Sequence, residues 1–139
     1  MSVRRLFLDA NVLFTAAHRP QGKAGFLFAE FQGGLSHWQL VSSAYAVEEA
    51  RRNIASKYPQ ATSELLRLTA SLKLAAQPPT ARIALALPDK DLPIWAAALA
   101  CHATHLLTGD LKDFGRFMNC PEQTGGVVIQ TVSEFLAGL

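Results

Sequence analysis

Arg4-Arg5-Leu6-Phe7-Leu8-Asp9 is a short apolar run that ends on an acid, and it decides how the rest of the chain is read. A run of that length and composition predicts a strand buried on both faces, with a carboxylate at its C-terminal end. Further along, Trp38 to Val41 reads as a second strand, His105 to Thr108 as a third with Gly109-Asp110 after it, and Gly126 to Gln130 as a fourth. Helical segments fall between them. Gly25 to Gly34 spaces Phe28 and Phe31 three apart and stops at paired glycines. Ser42 or Ser43 is placed to cap a helix that runs through AYAVEEARRNIASKY to Pro59. Thr62 to Leu74 repeats apolar residues at helical spacing, and Leu92 to Thr104 is an alanine-rich helix with Asp91 as its N-cap and Pro93 in its first turn. A terminal helix starts near Ser133. Strands alternating with helices, with every connection long enough for a crossover, predict an α/β fold: a three-layer α/β/α sandwich around a central parallel sheet.

The composition bounds the function. The 139 residues are 50% hydrophobic and 17% charged, with mean hydropathy +0.15, which suits one domain over residues 1–139 and excludes a disordered chain. Thirteen basic residues against eleven acidic ones give +2 at pH 7, so a nucleic-acid site has to be a local patch. Two cysteines without CxxC spacing exclude a zinc knuckle and a disulfide scaffold, and point to a reduced cytoplasm. Nothing approaches the ~20 apolar residues of a membrane span, and the N-terminal apolar run is too short for a secretion signal.

The aspartates are unevenly placed: Asp9, then none until Asp89 and Asp91, then Asp110 and Asp113. Asp9 and Asp110 each follow an apolar strand, where ligands bind in open parallel sheets. Asp91, as a cap, keeps one oxygen free. On the second helical segment Ala46, Val47, Ala50 and Ile54 make the packed stripe, Glu49 lies at its margin, and Glu48 points away, in reach of Arg52 four residues on. Asp9, Glu49, Asp91 and Asp110 are therefore the candidate site residues. Two carboxylates ~5 Å apart at an effective dielectric of ~20 repel by about 3 kcal/mol, so four of them call for a cation or for raised pKa values. An all-oxygen set with no cysteine or histidine at ligand spacing selects Mg²⁺ or Mn²⁺ over zinc, and such an ion suits displacement at phosphorus.

These residues resemble a known family. Phe7-Leu8-Asp9-Ala10-Asn11-Val12-Leu13, the Ser43 to Ala50 helix start, Asp91-Leu92-Pro93-Ile94-Trp95-Ala96-Ala97-Ala98 and Leu107-Thr108-Gly109-Asp110-Leu111-Lys112-Asp113-Phe114 follow the order and spacing of a PIN domain, over roughly residues 4 to 132. The resemblance implies a Mg²⁺- or Mn²⁺-dependent ribonuclease with Asp9, Glu49, Asp91 and Asp110 as metal and catalytic residues. Asn11 and Thr108 would support them, and Asp113 would be an additional or substitute ligand. It also implies kinship with the small VapC-type toxins, hence an RNA substrate, an antitoxin partner and a homodimer; the aromatic helix Phe26 to Phe31 either packs on the sheet or forms part of a homodimer or antitoxin-binding surface. The stretch between Pro78 and Pro88 is shorter than in many toxin members.

Two other classes compete. A haloacid-dehalogenase-like phosphatase also carries an aspartate after its first strand, but it needs a general acid two residues on, where this chain has Asn11. A non-catalytic RNA- or protein-binding module would keep the acids without turnover. Arg51, Arg52, Lys57, Lys90, Lys112 and Arg116 lie near the acidic motifs and are candidates to meet RNA phosphates. Trp38 and Trp95 read as core residues, Asp89 as a loop charge, Cys101 as buried, and the four histidines as structural or surface groups.

Overall fold

A computed structural model describes residues 3–32, 38–80 and 85–139. Its centre is the expected strand, β1 (Arg4–Leu8). Leu6, Phe7 and Leu8 are all fully buried, and successive side chains of a strand point to opposite faces, so helices must cover the sheet on both sides. The other strands are β2 (Trp38–Ser43), β3 (Lys73–Ala75), β4 (His105–Leu107) and β5 (Val128–Gln130). All four pairings are parallel, in the order β3-β2-β1-β4-β5. The chain thus builds outward from β1 on one side, then crosses back to β4 on the other. That reversal opens a crevice beyond the carboxyl ends of β1 and β4, the place where open α/β sheets bind ligands.

The helices are α1 (Ala10–His18), α2 (Lys23–Gln32), α3 (Ala44–Lys57), α4 (Thr62–Ala70), α5 (Leu92–Ala100), α6 (Leu111–Phe114) and α7 (Val132–Ala137). Helix α1 packs against α2, α3 and α4, while α5 packs against β2, β3 and β4. Ser43 caps α3 by accepting from the Ala46 amide at 3.2 Å, and α3 buries Ala46, Ala50 and Ile54. Helix α2 buries Leu27 and Phe28 and leaves Phe26 exposed; its expected glycine stop at Gly33-Gly34 lies outside the described residues. Trp38 is core: its indole donates to the Leu27 carbonyl at 3.1 Å and its ring meets Phe135 edge-on. Trp95 is buried as well.

Several local expectations change. The segment expected to stay helical to Leu74 leaves the helix at Ala70, and Lys73–Ala75 becomes the edge strand β3, paired with Val41 to Ser43. Helix α5 ends at Ala100, not Thr104, because His102 adopts φ 56° and turns the chain so that the Thr104 amide can donate to the Arg5 carbonyl. Glu48 pairs with Arg51 at 2.5 Å, not with Arg52, since a guanidinium three residues on reaches both carboxylate oxygens. Cys101 is half-buried, its thiol donating to the Ala98 carbonyl. His18 stacks on Tyr58 and His105 meets Phe135 edge-on, in keeping with structural roles.

The C-terminal ends of β1 and β2 are tied by a buried side chain: Ser42 Oγ donates to the Leu8 carbonyl at 2.8 Å. Ser42→Ala is expected to lower the unfolding free energy by about 1–2 kcal/mol, since it strands a buried acceptor one residue from Asp9. Urea titration followed by circular dichroism checks this against the exposed Ser56→Ala; equal midpoints would remove the tie.

Candidate metal centre

The first carboxylate sits where β1 runs out. Asp9 is 3% exposed and N-caps α1, its Oδ1 accepting from the Ala10 amide at 2.7 Å. Oδ2 accepts from Thr108 Oγ1 at 2.9 Å and from Asn11 Nδ2 at 3.2 Å. Thr108, fully buried at the end of β4, also accepts from Asn11 Nδ2 and from the Asp110 amide. Asn11 Oδ1 in turn accepts from the Gly109 amide at 2.7 Å. A closed polar network therefore spans the crevice between β1 and β4 and aims Asp9 along a fixed direction. Burial pushes the Asp9 carboxyl up to about 6 against its three hydrogen bonds, and the charges of Glu49 and Asp110 push it further the same way.

Three more carboxylates meet beside it. Asp91, Asp110 and Asp113 each offer an oxygen within 4.8 Å of the others. Asp110 N-caps α6, Oδ1 accepting from the Asp113 amide at 3.0 Å, so its other oxygen faces the cluster. Asp91 stands at the N-cap position of α5 but makes no capping bond, contrary to the expected cap; its side chain, 7% exposed, turns to the cluster instead. Lys90 completes the group, its Nζ lying 2.7 Å from Asp113, 3.2 Å from Asp91 and 3.5 Å from Asp110. Burial and the adjoining Asp113 push Asp91 up to about 7, while Lys90 holds Asp113 down to about 2. Of this pair Asp91 is the more easily protonated, and Asp113, held by Lys90, the more easily ionised.

The four expected residues fall into two groups. Asp91 and Asp110 converge, with Asp113 as the third member of their cluster. Asp9 and half-buried Glu49 are joined to each other electrostatically, and Asp110 links the two groups through its field on Asp9. Asp89 is exposed, as a loop charge should be. The basic residues sort differently from expectation. Arg51 is taken by Glu48, Lys57 lies over the Phe14 ring and Arg116 over Phe117, whereas Arg52 acts on Tyr45, which also feels Glu49 and Asp91. Two cations absent from that expected set, Arg19 and Lys23, line a groove of about 690 Å³ that runs from Asn11, Thr108 and Asp110 towards Ser133. Their signal lay in the sequence only as spacing from Asp9 along α1, which the acidic motifs overshadowed.

Whether this donor set suits a divalent ion is answered by what it already holds. Oxygens from three carboxylates surround one cationic nitrogen, and all are hard donors of the kind Mg²⁺ and Mn²⁺ take.

The architecture is a PIN-like α/β/α fold. No protein-family model matches the chain, and neither does any curated protein. Among solved structures, a chain of VapBC2 from Rickettsia felis, crystallised bound to a DNA fragment from their promoter, superposes with a TM-score of 0.62 at 14% identity, covering 91% of this chain and 98% of that one. A chain of VapBC-1 from nontypeable Haemophilus influenzae gives 0.59 at 19% identity, covering 93% and 98%. The likeness shows a common fold over nearly the whole length of each. No helix among the described residues is long and apolar enough to cross a membrane.

Because the folded value of Asp9, about 6, lies above the ordinary 3.8, its ionised form opposes folding above about pH 6, and that penalty fades as pH falls towards 4. Asp9→Asn removes the charge and keeps the shape. In chelator-treated protein it is expected to be more stable than wild type at pH 8, on the order of 3 kcal/mol, with the gap narrowing to about 1 kcal/mol by pH 4.5. Thermal melts across that range check it; a constant gap would mean that Asp9 carries no strained charge.

Proposed function

We propose that this chain is a divalent-metal-dependent ribonuclease that hydrolyses phosphodiester bonds of RNA. The observation that carries the reading is the convergence of Asp91, Asp110 and Asp113 on one cationic position, beside buried Asp9, at the switch point of a PIN-like sheet. Asp9, Glu49, Asp91 and Asp110 are the proposed site residues, joined by Asp113, with Mg²⁺ or Mn²⁺ as the ion. When bound, the ion supplies positive charge that polarises a phosphodiester and eases loss of a proton from water. Asp9 is held rigidly by Thr108 and Asn11, so its orientation needs no rearrangement when substrate arrives. Asn11 is committed to the Gly109 amide and to Asp9, and has no proton to give and retake; this speaks against phosphatase chemistry that relies on a general acid there.

RNA approaches a cluster of acids, so cations outside it have to offset the repulsion. Arg19 and Lys23 line the adjoining groove, and Lys23 has only Ser133 as a side-chain partner among the described residues. They are proposed to bind phosphates flanking the one that is cut. The VapBC structures, which share the fold, support an antitoxin as protein partner and a toxin role; a cytoplasmic location and a homodimer are part of the same proposal.

Incubation of single-stranded RNA with the purified chain tests the activity. Cleavage is expected with Mg²⁺ or Mn²⁺ and not with chelator, and Asp9→Ala or Asp91→Asn is expected to reduce it by about 100-fold or more. Hydrolysis of small phosphate esters in place of RNA, or undiminished cleavage by Asp9→Ala, would overturn the reading. Arg19→Ala and Lys23→Ala are each expected to weaken RNA binding and to reduce the slope of log affinity against log salt by about 1. Filter binding at several salt concentrations measures this, and unchanged slopes would exclude the groove as the RNA path.

A further inference from the structure

Lys90 stands on the turn before α5, and one atom of its side chain contacts all three acids that could hold an ion. Its backbone is fixed, because the Tyr45 hydroxyl donates to the Lys90 carbonyl at 2.8 Å. Its side chain is not: 60% of it is exposed, and the ammonium reaches the carboxylates from the solvent side on a flexible four-carbon stem. The arrangement combines an anchored hinge, a mobile arm and a charged tip seated among ligand oxygens. A divalent ion of the proposed kind contacts carboxylate oxygens at about 2.0–2.1 Å, so it needs the same oxygens that the ammonium now engages. Two cations about 3 Å apart at an effective dielectric of ~20 repel by roughly 10 kcal/mol, which excludes joint occupancy.

We propose that Lys90 is a built-in counter-ion that competes with the divalent ion for Asp91, Asp110 and Asp113, and that entry of the ion ejects the lysine arm into solvent. This rests on the metal-dependent reading above and adds a regulatory feature to the same site. Without an ion, Lys90 answers the repulsion among the acids and keeps the cluster assembled. With an ion, the same ammonium is released at the rim of the crevice. The apparent affinity for the ion is scaled down to the fraction of molecules in which Lys90 has left the cluster, so half-filling of the site moves to a higher ion concentration.

Two measurements on the full chain, stripped with chelator and held at pH 8, test this without reference to activity. Mn²⁺ binding is followed by the paramagnetic resonance signal of the free ion for wild type, Lys90→Met and Lys112→Met. The last removes an exposed lysine that has no carboxylate partner among the described residues, and so controls for net charge. Lys90→Met is expected to bind about tenfold tighter than wild type, and Lys112→Met to stay within about twofold. In wild type alone, acylation of individual lysines is followed by mass spectrometry. Labelling of Lys90 is expected to be slow in chelator and to rise severalfold with Mg²⁺, while Lys112 labels at one rate throughout; this holds whether or not the variant folds. Wild type that binds Mn²⁺ no more weakly than Lys90→Met, or whose Lys90 labelling ignores Mg²⁺, would overturn the counter-ion and leave the metal site standing. No binding by either protein would overturn both.

Discussion

Parallel strands deliver their carboxyl ends to one edge of a sheet, and here that edge gathers Asp9, Asp91, Asp110 and Asp113 into a region where like charges repel strongly. Each neighbouring group answers that repulsion in its own way. Thr108 and Asn11 donate to Asp9 but do not prevent burial from raising its pKa. Burial shifts Asp91 towards its protonated form, while Lys90 shifts Asp113 towards its ionised one. Asp110 spends one oxygen on the first turn of α6 and turns the other inward. Lys90 supplies a full positive charge. Together these responses offset the repulsion and leave carboxylate oxygens gathered around one cationic position.

The balance of +2 over the whole chain conceals this partition. Setting aside Asp9, Glu49, Asp91 and Asp110 leaves thirteen basic residues against seven acidic ones, or +6 for the surround. Arg19 and Lys23 carry part of that excess to the groove, whereas Arg51 and Arg67 are balanced locally by glutamates three residues away. Proximity along the chain to an acidic motif found Lys90, which sits among the acids, but missed the cations that line the groove. Arg19 and Lys23, ten and fourteen residues beyond Asp9, are brought round by the first two helices.

The architecture was legible because fully buried strands such as Leu6-Phe7-Leu8 leave an uninterrupted apolar signature, and because serine and threonine caps mark helix starts with a definite chemistry. Asp9 and Asp110 were legible for a related reason: an acid directly after such a strand has one place to go. The three-residue strand β3 was not, because Leu72 and Leu74 continue the apolar spacing of α4 and only pairing with β2 draws Lys73–Ala75 into the sheet. The expected cap at Asp91 was misjudged, since a cap depends on backbone angles that composition does not reveal. Asp91 has helical φ and ψ and no capping bond, whereas Asp110, with φ −85° and ψ 82°, caps α6. Lys90 was legible as a basic residue near the acids, but its seat among three of them depends on the turn held by Tyr45.

The polar network between Asp9 and Thr108 joins residues 99 apart in sequence, and the backbone repeats the bridge where the Asp9 amide donates to the Leu107 carbonyl. On a ribosome this means that the first acid emerges long before any of its partners. A nascent chain that ends before β4 has β1 without one of its two neighbours and Asp9 without Thr108, Asp110 or Asp113. The centre therefore cannot mature step by step as the chain grows. It closes late and as a unit, once nearly the whole polypeptide is available to fold.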